Sequence, residues 1–307
     1  MHSIAYLGPA GTFAEAAARQ LPEVAGGADL RPVASVPAAL EAVREGMTDG
    51  ALVPLENSVE GSVNTTLDEL ATGEHLLIRR EVITPVTFDF LALQGRHLGD
   101  VRTVATHPHA AAQCRRWLRS VELDTAVRLT SSTADAAASV AKGEFDAAIA
   151  APLAADQYGL VAVARDIGDA RHAVTRFVLI GRPTGPEERT GADRTSLVAY
   201  IAEDHSGALM EVLNEFAVRG VNLTRIESRP TGERLGRYCF FLDCEGHIAD
   251  ARVGEALSGL FRVCSEVRYL GSYPRADHVA PQQRPGTTDA DFSAAADWLR
   301  GLRSDGR

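Results

Sequence analysis

Over residues 1–181 short apolar runs alternate with helical stretches, and this alternation constrains the fold more than any other feature of the chain. Ile4–Leu7, Ala51–Val53, Val101–Ala105, Ala147–Ala150 and Phe177–Ile180 read as buried strands, and Ala126–Leu129 as a further strand. Between them Ser35–Gly46, Ala110–Ser120 and Ser132–Gly143 carry helical spacing, with Ser at a start and Gly after two of the ends. Strand–helix alternation predicts a mostly parallel α/β sheet. Ligands in such sheets sit outside the carboxyl ends of the strands. The polar loops of this region fall there: Gly8–Phe13, Glu56-Asn57-Ser58 and Ser131–Asp135.

The 307 residues suffice for two domains, since a single core stops growing near ~250–300 residues. No apolar stretch approaches the ~20 residues of a membrane span. The start, Met1-His2-Ser3-Ile4, lacks the pattern of a secretory signal, so a cytoplasmic protein is expected. A formal charge of −10 weighs against nucleic acid or an anionic membrane as partner. Arg115, Arg116 and Arg119 read as the solvated face of a helix. An anionic small molecule remains compatible if the site gathers helix N-termini or arginine. Cys114, Cys239, Cys244 and Cys264 form no CxxC pair, so buried free thiols are expected and no metal site.

Residues 182–194 carry the Pro, Gly and charge of an interdomain linker. From 195 to 273 the order is strand (Ser196–Ala202), helix (Ala208–Arg219), strand (Leu223–Ser228), strand (Tyr238–Asp243), helix (Ala251–Leu260) and strand (Val267–Ser272). That is βαββαβ, the ferredoxin-like arrangement. Residues 274–307 read as a flexible tail, with Phe292, Ala295, Ala296 and Leu299 on one face of a short helix. The expected domains are therefore 1–181 and 195–273, joined by 182–194.

Five segments carry candidate chemistry. Thr12-Phe13-Ala14-Glu15 is a capping box, so a helix should start at Thr12. Its free N–H groups suit a carboxylate or phosphate, although a plain strand–turn–helix fits the same residues. Glu56-Asn57-Ser58, with Ser62, Asn64, Thr65 and Thr66, is either a binding cluster or ordinary turn chemistry. Ser132 with Asp135 repeats the capping logic at a second helix. His107-Pro108-His109, lacking a nearby carboxylate, reads as a turn with a cap. In Thr175-Arg176-Phe177, a strand turns Thr175 and Phe177 to one face and Arg176 to the other.

Taken together these segments resemble the prephenate dehydratase family with a C-terminal ACT regulatory domain. The resemblance spans residues 3–273. It rests on Tyr6–Phe13, Pro54–Ser58 with Gly61 and Thr66-Leu67-Asp68, Ser131–Ala134, Tyr158-Gly159-Leu160 and Thr175-Arg176-Phe177. In the second part it rests on Gly207–Met210, Asn222-Leu223 and Glu227–Pro230. Ala173 stands where the family usually has Asn, and the tail lies outside the family core. The resemblance implies an α/β fold, with two catalytic lobes arranged as in type II periplasmic binding proteins, followed by the ACT domain.

It also implies the conversion of prephenate to phenylpyruvate, CO2 and water without metal or other cofactor, in phenylalanine biosynthesis. Thr175 is then the donor to the departing hydroxyl, with Thr12, Asn57, Ser58, Thr65, Ser132, Thr133, Arg176 and Phe177 as substrate contacts. L-Phenylalanine is the implied effector, held by Gly207, Ala208, Leu209, Met210, Asn222, Leu223, Glu227 and Ser228. A homodimer or homotetramer is implied as well. Arogenate dehydratase, a two-lobed solute-binding protein and an amino-acid-sensing regulator are the rival readings.

Overall fold

The computed structural model describes residues 1–121, 125–201, 203, 205–231 and 238–304. They form two compact units, one of Met1–Glu69 and Val82–Arg182, the other of Leu70–Glu81 and Pro183–Arg307. The chain opens with β1 (Ser3–Leu7), α1 (Phe13–Ala18), α2 (Pro22–Ala25), β2 (Asp29–Val33), α3 (Val36–Arg44) and β3 (Gly50–Asn57). It continues through β4 (Gly61–Ser62), α4 (Asn64–Thr72) and β5 (Leu77–Pro85). A second lobe follows: β6 (Asp89–Ala92), β7 (Thr103–Thr106), α5 (Pro108–Gln113), α6 (Arg115–Ser120), β8 (Ala126–Leu129), α7 (Thr133–Ala141), β9 (Ala147–Ala150), α8 (Leu153–Tyr158) and β10 (Val161–Ala164). The strand β11 (Val174–Gly181) then returns to the first lobe.

The first sheet has the order β2-β1-β3-β11-β5, with β4 on β3, and the second β10-β6-β9-β7-β8. The expected mostly parallel sheet is therefore two mixed sheets. β1 runs parallel to β2 and β3, while β11 lies antiparallel to β3. In the second lobe β7 is parallel to β8 and β9, while β6 is antiparallel to β9 and β10. Parallel neighbours need a helical crossover within one sheet. β11 arrives from the other lobe without one, and so runs the opposite way.

Local reasons for the elements are plain. Ser35 caps α3 by accepting the Ala38 N–H at 3.2 Å, and Val36, Ala39, Leu40 and Val43 bury one face. Ala51, Leu52 and Val53 have no exposed surface, as expected of a strand covered on both faces. Full burial of the Leu52 and Val53 side chains contributes about 1.5–3 kcal/mol each. The expected helix over Ala110–Ser120 breaks at Cys114, whose buried thiol packs into the second-lobe core and whose backbone leaves helical geometry. Phe13 packs against the cores of both lobes.

In the other unit, β12 (Asp193–Ile201), α9 (Ala208–Ala217), β13 (Leu223–Pro230), β14 (Tyr238–Glu245), α10 (Ala251–Val263) and β15 (Cys264–Pro274) follow the βαββαβ order. Their sheet has the order β13-β14-β12-β15, antiparallel throughout. Ala202, read as the end of the first of these strands, lies outside the described residues. The helix read in the tail is α11 (Asp289–Ser304), longer than its apolar stripe suggested. Asp289 anchors its start on the Ala251 N–H at 2.9 Å and on Arg189 at 2.9 Å. No helix among the described residues is long and apolar enough to cross a membrane.

Candidate active site

Thr12 caps α1: its hydroxyl donates to the Leu7 carbonyl at 3.0 Å and accepts the Glu15 N–H at 3.3 Å. Glu15, buried, accepts the Gly11 N–H at 2.6 Å and is paired with Arg19 at 2.6 Å. Burial and the Glu15 carboxylate push the Tyr6 hydroxyl up to about 12, so it stays protonated under the loop. Gly11 has φ +86, and a Cβ there would meet the Tyr158 ring at 3.1 Å and Ala154 Cα at 3.3 Å. Only glycine suits both the conformation and the space. Tyr158, from the second lobe, donates to the Ala10 carbonyl at 2.6 Å. The loop is thus held from both lobes.

The β3–β11 register places Asn57 opposite Thr175 and Glu56 opposite Arg176. Asn57 Nδ2 donates to Thr175 Oγ1 at 2.8 Å, while its Oδ1 accepts the N–H groups of Val59 at 2.8 Å and Glu60 at 3.0 Å. Those two backbone donors set the amide's orientation, so its nitrogen must face the threonine. Ser58 clamps the same strands: its N–H donates to the Val174 carbonyl at 2.9 Å, and its Oγ accepts the Val174 N–H at 3.0 Å. In the second lobe, Ser132 caps α7 by accepting the Asp135 N–H at 3.0 Å, and Ser131 donates to the Asp135 carboxylate at 3.0 Å.

These loops enclose a cavity of about 470 Å³. Thr12, Asn57, Ser132, Thr133, Thr175 and Phe177 line it, as do Phe13 and Phe88, which meet edge to face at 5.5 Å. Its size and mixed lining suit a small ring-bearing ligand with a few polar groups. Ser58, Thr65 and Arg176 do not line it. Thr65 is exposed on α4, Ser58 is turned to Val174, and Arg176 is buried with its guanidinium 3.9 Å from Glu56. Strand alternation separates Arg176 from Thr175 and Phe177.

His107 does cap α5, accepting the His109 N–H at 3.3 Å. Yet both imidazoles also line the cavity, and the missing carboxylate is present. Glu60 lies 3.2 Å from His109 Nδ1 and accepts from Gln113 Nε2 at 3.0 Å. Burial lowers the His107 pKa, the nearby His109 lowers it further, and Glu60 opposes both. Sequence reasoning passed over Glu60, His109, Gln113, Phe13 and Phe88 as site residues. No spacing links Glu60 to α5; only the meeting of two lobes does.

In the second unit Gly207, at φ +97, precedes α9. Ala208 joins Ile201, Glu203, His205, Glu211, Val212 and Val263 around a cavity of about 390 Å³. His205 pairs with Glu211 at 3.0 Å; the Glu203 carbonyl and then the Glu211 carboxylate raise its pKa. Leu209 packs against the core and Met210 is exposed. Asn222 and Leu223 lie beyond the opposite end of α9, whose 10 residues span about 15 Å. Glu227 and Ser228 lie on β13 opposite Phe241 and Phe240. Gly207 and Asn222–Leu223 therefore stand at opposite ends of α9 in one chain.

Residues 4–185 match the family described as prephenate dehydratase, and residues 196–262 match the ACT domain. A prephenate dehydratase of Amycolatopsis methanolica is 48% identical over 304 residues, covering 99% of this chain and 98% of that protein. The crystal structure of prephenate dehydratase from Arthrobacter aurescens, in complex with L-Phe, superposes with a TM-score of 0.93 at 48% identity, over 98% of this chain and 99% of that one. A solved chain described as a novel type of quorum quenching acylase reaches a TM-score of 0.78 at 30% identity, over 89% and 97%. Fold alone thus does not decide the chemistry. Sequence identity near one half, sustained across both units, separates these relatives, and the chain belongs to the prephenate dehydratase family.

Proposed function

We propose that the 470 Å³ cavity is where this chain converts prephenate to phenylpyruvate, CO2 and water, with Thr175 donating to the departing hydroxyl. The activity is that of the family, a hydro-lyase of phenylalanine biosynthesis. The observation that carries the site assignment is the Asn57–Thr175 hydrogen bond of 2.8 Å. Asn57 donates to the threonine oxygen, which leaves the threonine's own proton free for a ligand in the cavity. As the ring carboxylate leaves as CO2, its bonding pair enters the ring and the ring C–O bond breaks. The ring becomes aromatic, and the departing oxygen takes a proton to leave as water. A threonine hydroxyl is a weak acid in bulk water. Held by the Asn57 amide in a cavity walled by Phe13, Phe88 and Phe177, it stabilises the charge that grows on oxygen.

Ser132 and Thr133 supply hydroxyl and N–H donors to the substrate, Thr12 supplies its backbone N–H because its hydroxyl is spent on the Leu7 carbonyl, and Phe177 forms part of the wall for the ring. Ser58 and Arg176 act from behind, on the strand pair that carries Thr175. Residues 1–181 form the catalytic domain, 182–194 the linker and 195–273 the ACT regulatory domain. L-Phenylalanine binds the ACT domain and lowers activity, a coupling between two sites. Gly207, Ala208, Leu209 and Met210 hold it on one side, and Asn222, Leu223, Glu227 and Ser228 of a second copy complete the site, which makes the protein a cytoplasmic homodimer or homotetramer. Their separation within one chain supports this division. The test is phenylpyruvate formation from prephenate by metal-stripped protein, with and without phenylalanine. Turnover that phenylalanine suppresses is expected; no turnover of prephenate would overturn the reading.

A further inference from the structure

Among the described residues no arginine or lysine lines the cavity, and Glu60 is the only carboxylate that does. A site for a dianion therefore presents a like charge to its ligand. The arrangement around that carboxylate resolves the conflict. His109 and Gln113 stand one helical turn apart on α5 and reach its two oxygens separately, His109 Nδ1 at 3.2 Å from Oε2 and Gln113 Nε2 at 3.0 Å from Oε1. Residues so spaced share a helix face. Two N–H donors converging on one carboxylate, one per oxygen, make a carboxylate receptor, and the chain's own Glu60 fills it.

We infer that Glu60 is a placeholder: on substrate binding it swings out and the side-chain carboxylate of the substrate takes its place on His109 and Gln113. Departure is feasible because Glu60 sits at the rim with its side chain 38% exposed, flanked by exposed Val59 and by Gly61 at φ +85. Water can solvate it there. The receptor suits the side-chain carboxylate and not the ring carboxylate. Two donors on the group lost as CO2 would stabilise the ground state more than the transition state and slow the reaction. The side-chain carboxylate survives in the product and loses nothing by being held.

The inference rests on the proposed function, and its test separates the two. KM and kcat for prephenate, and competitive inhibition by phenylpyruvate, are measured for wild type, Glu60→Gln, His109→Ala and Gln113→Ala. Removing the placeholder's charge should lower KM several-fold, whereas removing either donor should raise it about tenfold, the size of one hydrogen bond to a charged group. The phenylpyruvate inhibition constant should move with KM in every variant, and kcat should change little in His109→Ala and Gln113→Ala. If Glu60 were a clasp between the lobes, Glu60→Gln and His109→Ala would shift KM in the same direction, which overturns the inference. Unchanged KM in both donor variants overturns it too. Wild-type turnover in the same assay shows that such a failure belongs to the inference and not to the reading of the cavity.

Discussion

The cavity of the first unit and the effector region of the second were both expected from loops at strand and helix ends, but the residues expected for the first mostly converge in one chain, whereas those expected for the second include both ends of α9. Thr12, Asn57, Ser132, Thr133, Thr175 and Phe177 come from both lobes and converge on about 470 Å³. Gly207–Met210 and Asn222–Leu223, by contrast, lie at opposite ends of α9. The difference follows from what each region must do. A donor that stabilises a transition state has to be held in advance, and in the role proposed for Thr175 the Asn57 amide, locked by two backbone N–H groups, does the holding. In the proposed division of the effector site between two copies, ligand binding links subunits and shifts an equilibrium between states.

The comparison can be broken most directly at Thr175. Thr175→Ala should lower kcat by about 10²–10³, the usual effect of deleting one preorganised donor. Thr175→Ser should restore part of the loss, since it returns the hydroxyl. Single-turnover formation of phenylpyruvate checks both, and an alanine variant as fast as wild type would remove Thr175 from the mechanism. Next in size, Asn57→Ala should reduce kcat by about tenfold with a smaller change in KM, because a hydrogen bond that orients the donor is lost and not a contact with the ring. Equal losses for Thr175→Ala and for the Asn57→Ala/Thr175→Ala pair would show that the two act as one unit.

On the effector side, Gly207 has φ +97, a conformation that costs a residue with a Cβ roughly 1–2 kcal/mol. Gly207→Ala should therefore raise the phenylalanine concentration for half-inhibition by about five- to tenfold. Turnover without effector should stay at the wild-type rate, and full inhibition at the wild-type concentration would separate the start of α9 from the effector. The smallest effect is expected at Thr65, exposed on α4 and away from the cavity. Thr65→Ala should change kcat/KM by less than about twofold.

Although the Glu15 carboxylate accepts from the Gly11 N–H and not from that of Thr12, the cap at Thr12 was legible because a capping side chain finds its partner within one turn. The same holds for Ser132 and for His107. The opposition of Thr175 and Arg176 was legible from the two-residue period of a strand. Thr65 read as a site residue because it follows a cluster of polar residues, but α4 starts at Asn64 and presents Thr65 to solvent. His109 read as unpartnered because its carboxylate belongs to a loop of the other lobe.

The sequence by itself determined the alternation of strands and helices, the capped loops at their ends, the βαββαβ order of residues 195–273 and the segments that carry the family resemblance. All of these depend on side-chain periodicity and on contacts within a few residues. Only the tertiary structure decided that both sheets would be mixed, that Asn57 would meet Thr175, and that Glu60 would occupy His109 and Gln113. Those outcomes depend on how β11 crosses back from one lobe to the other and on which loops then face each other. Chain periodicity carries no record of either, because each lobe satisfies its local pattern whichever loop stands opposite.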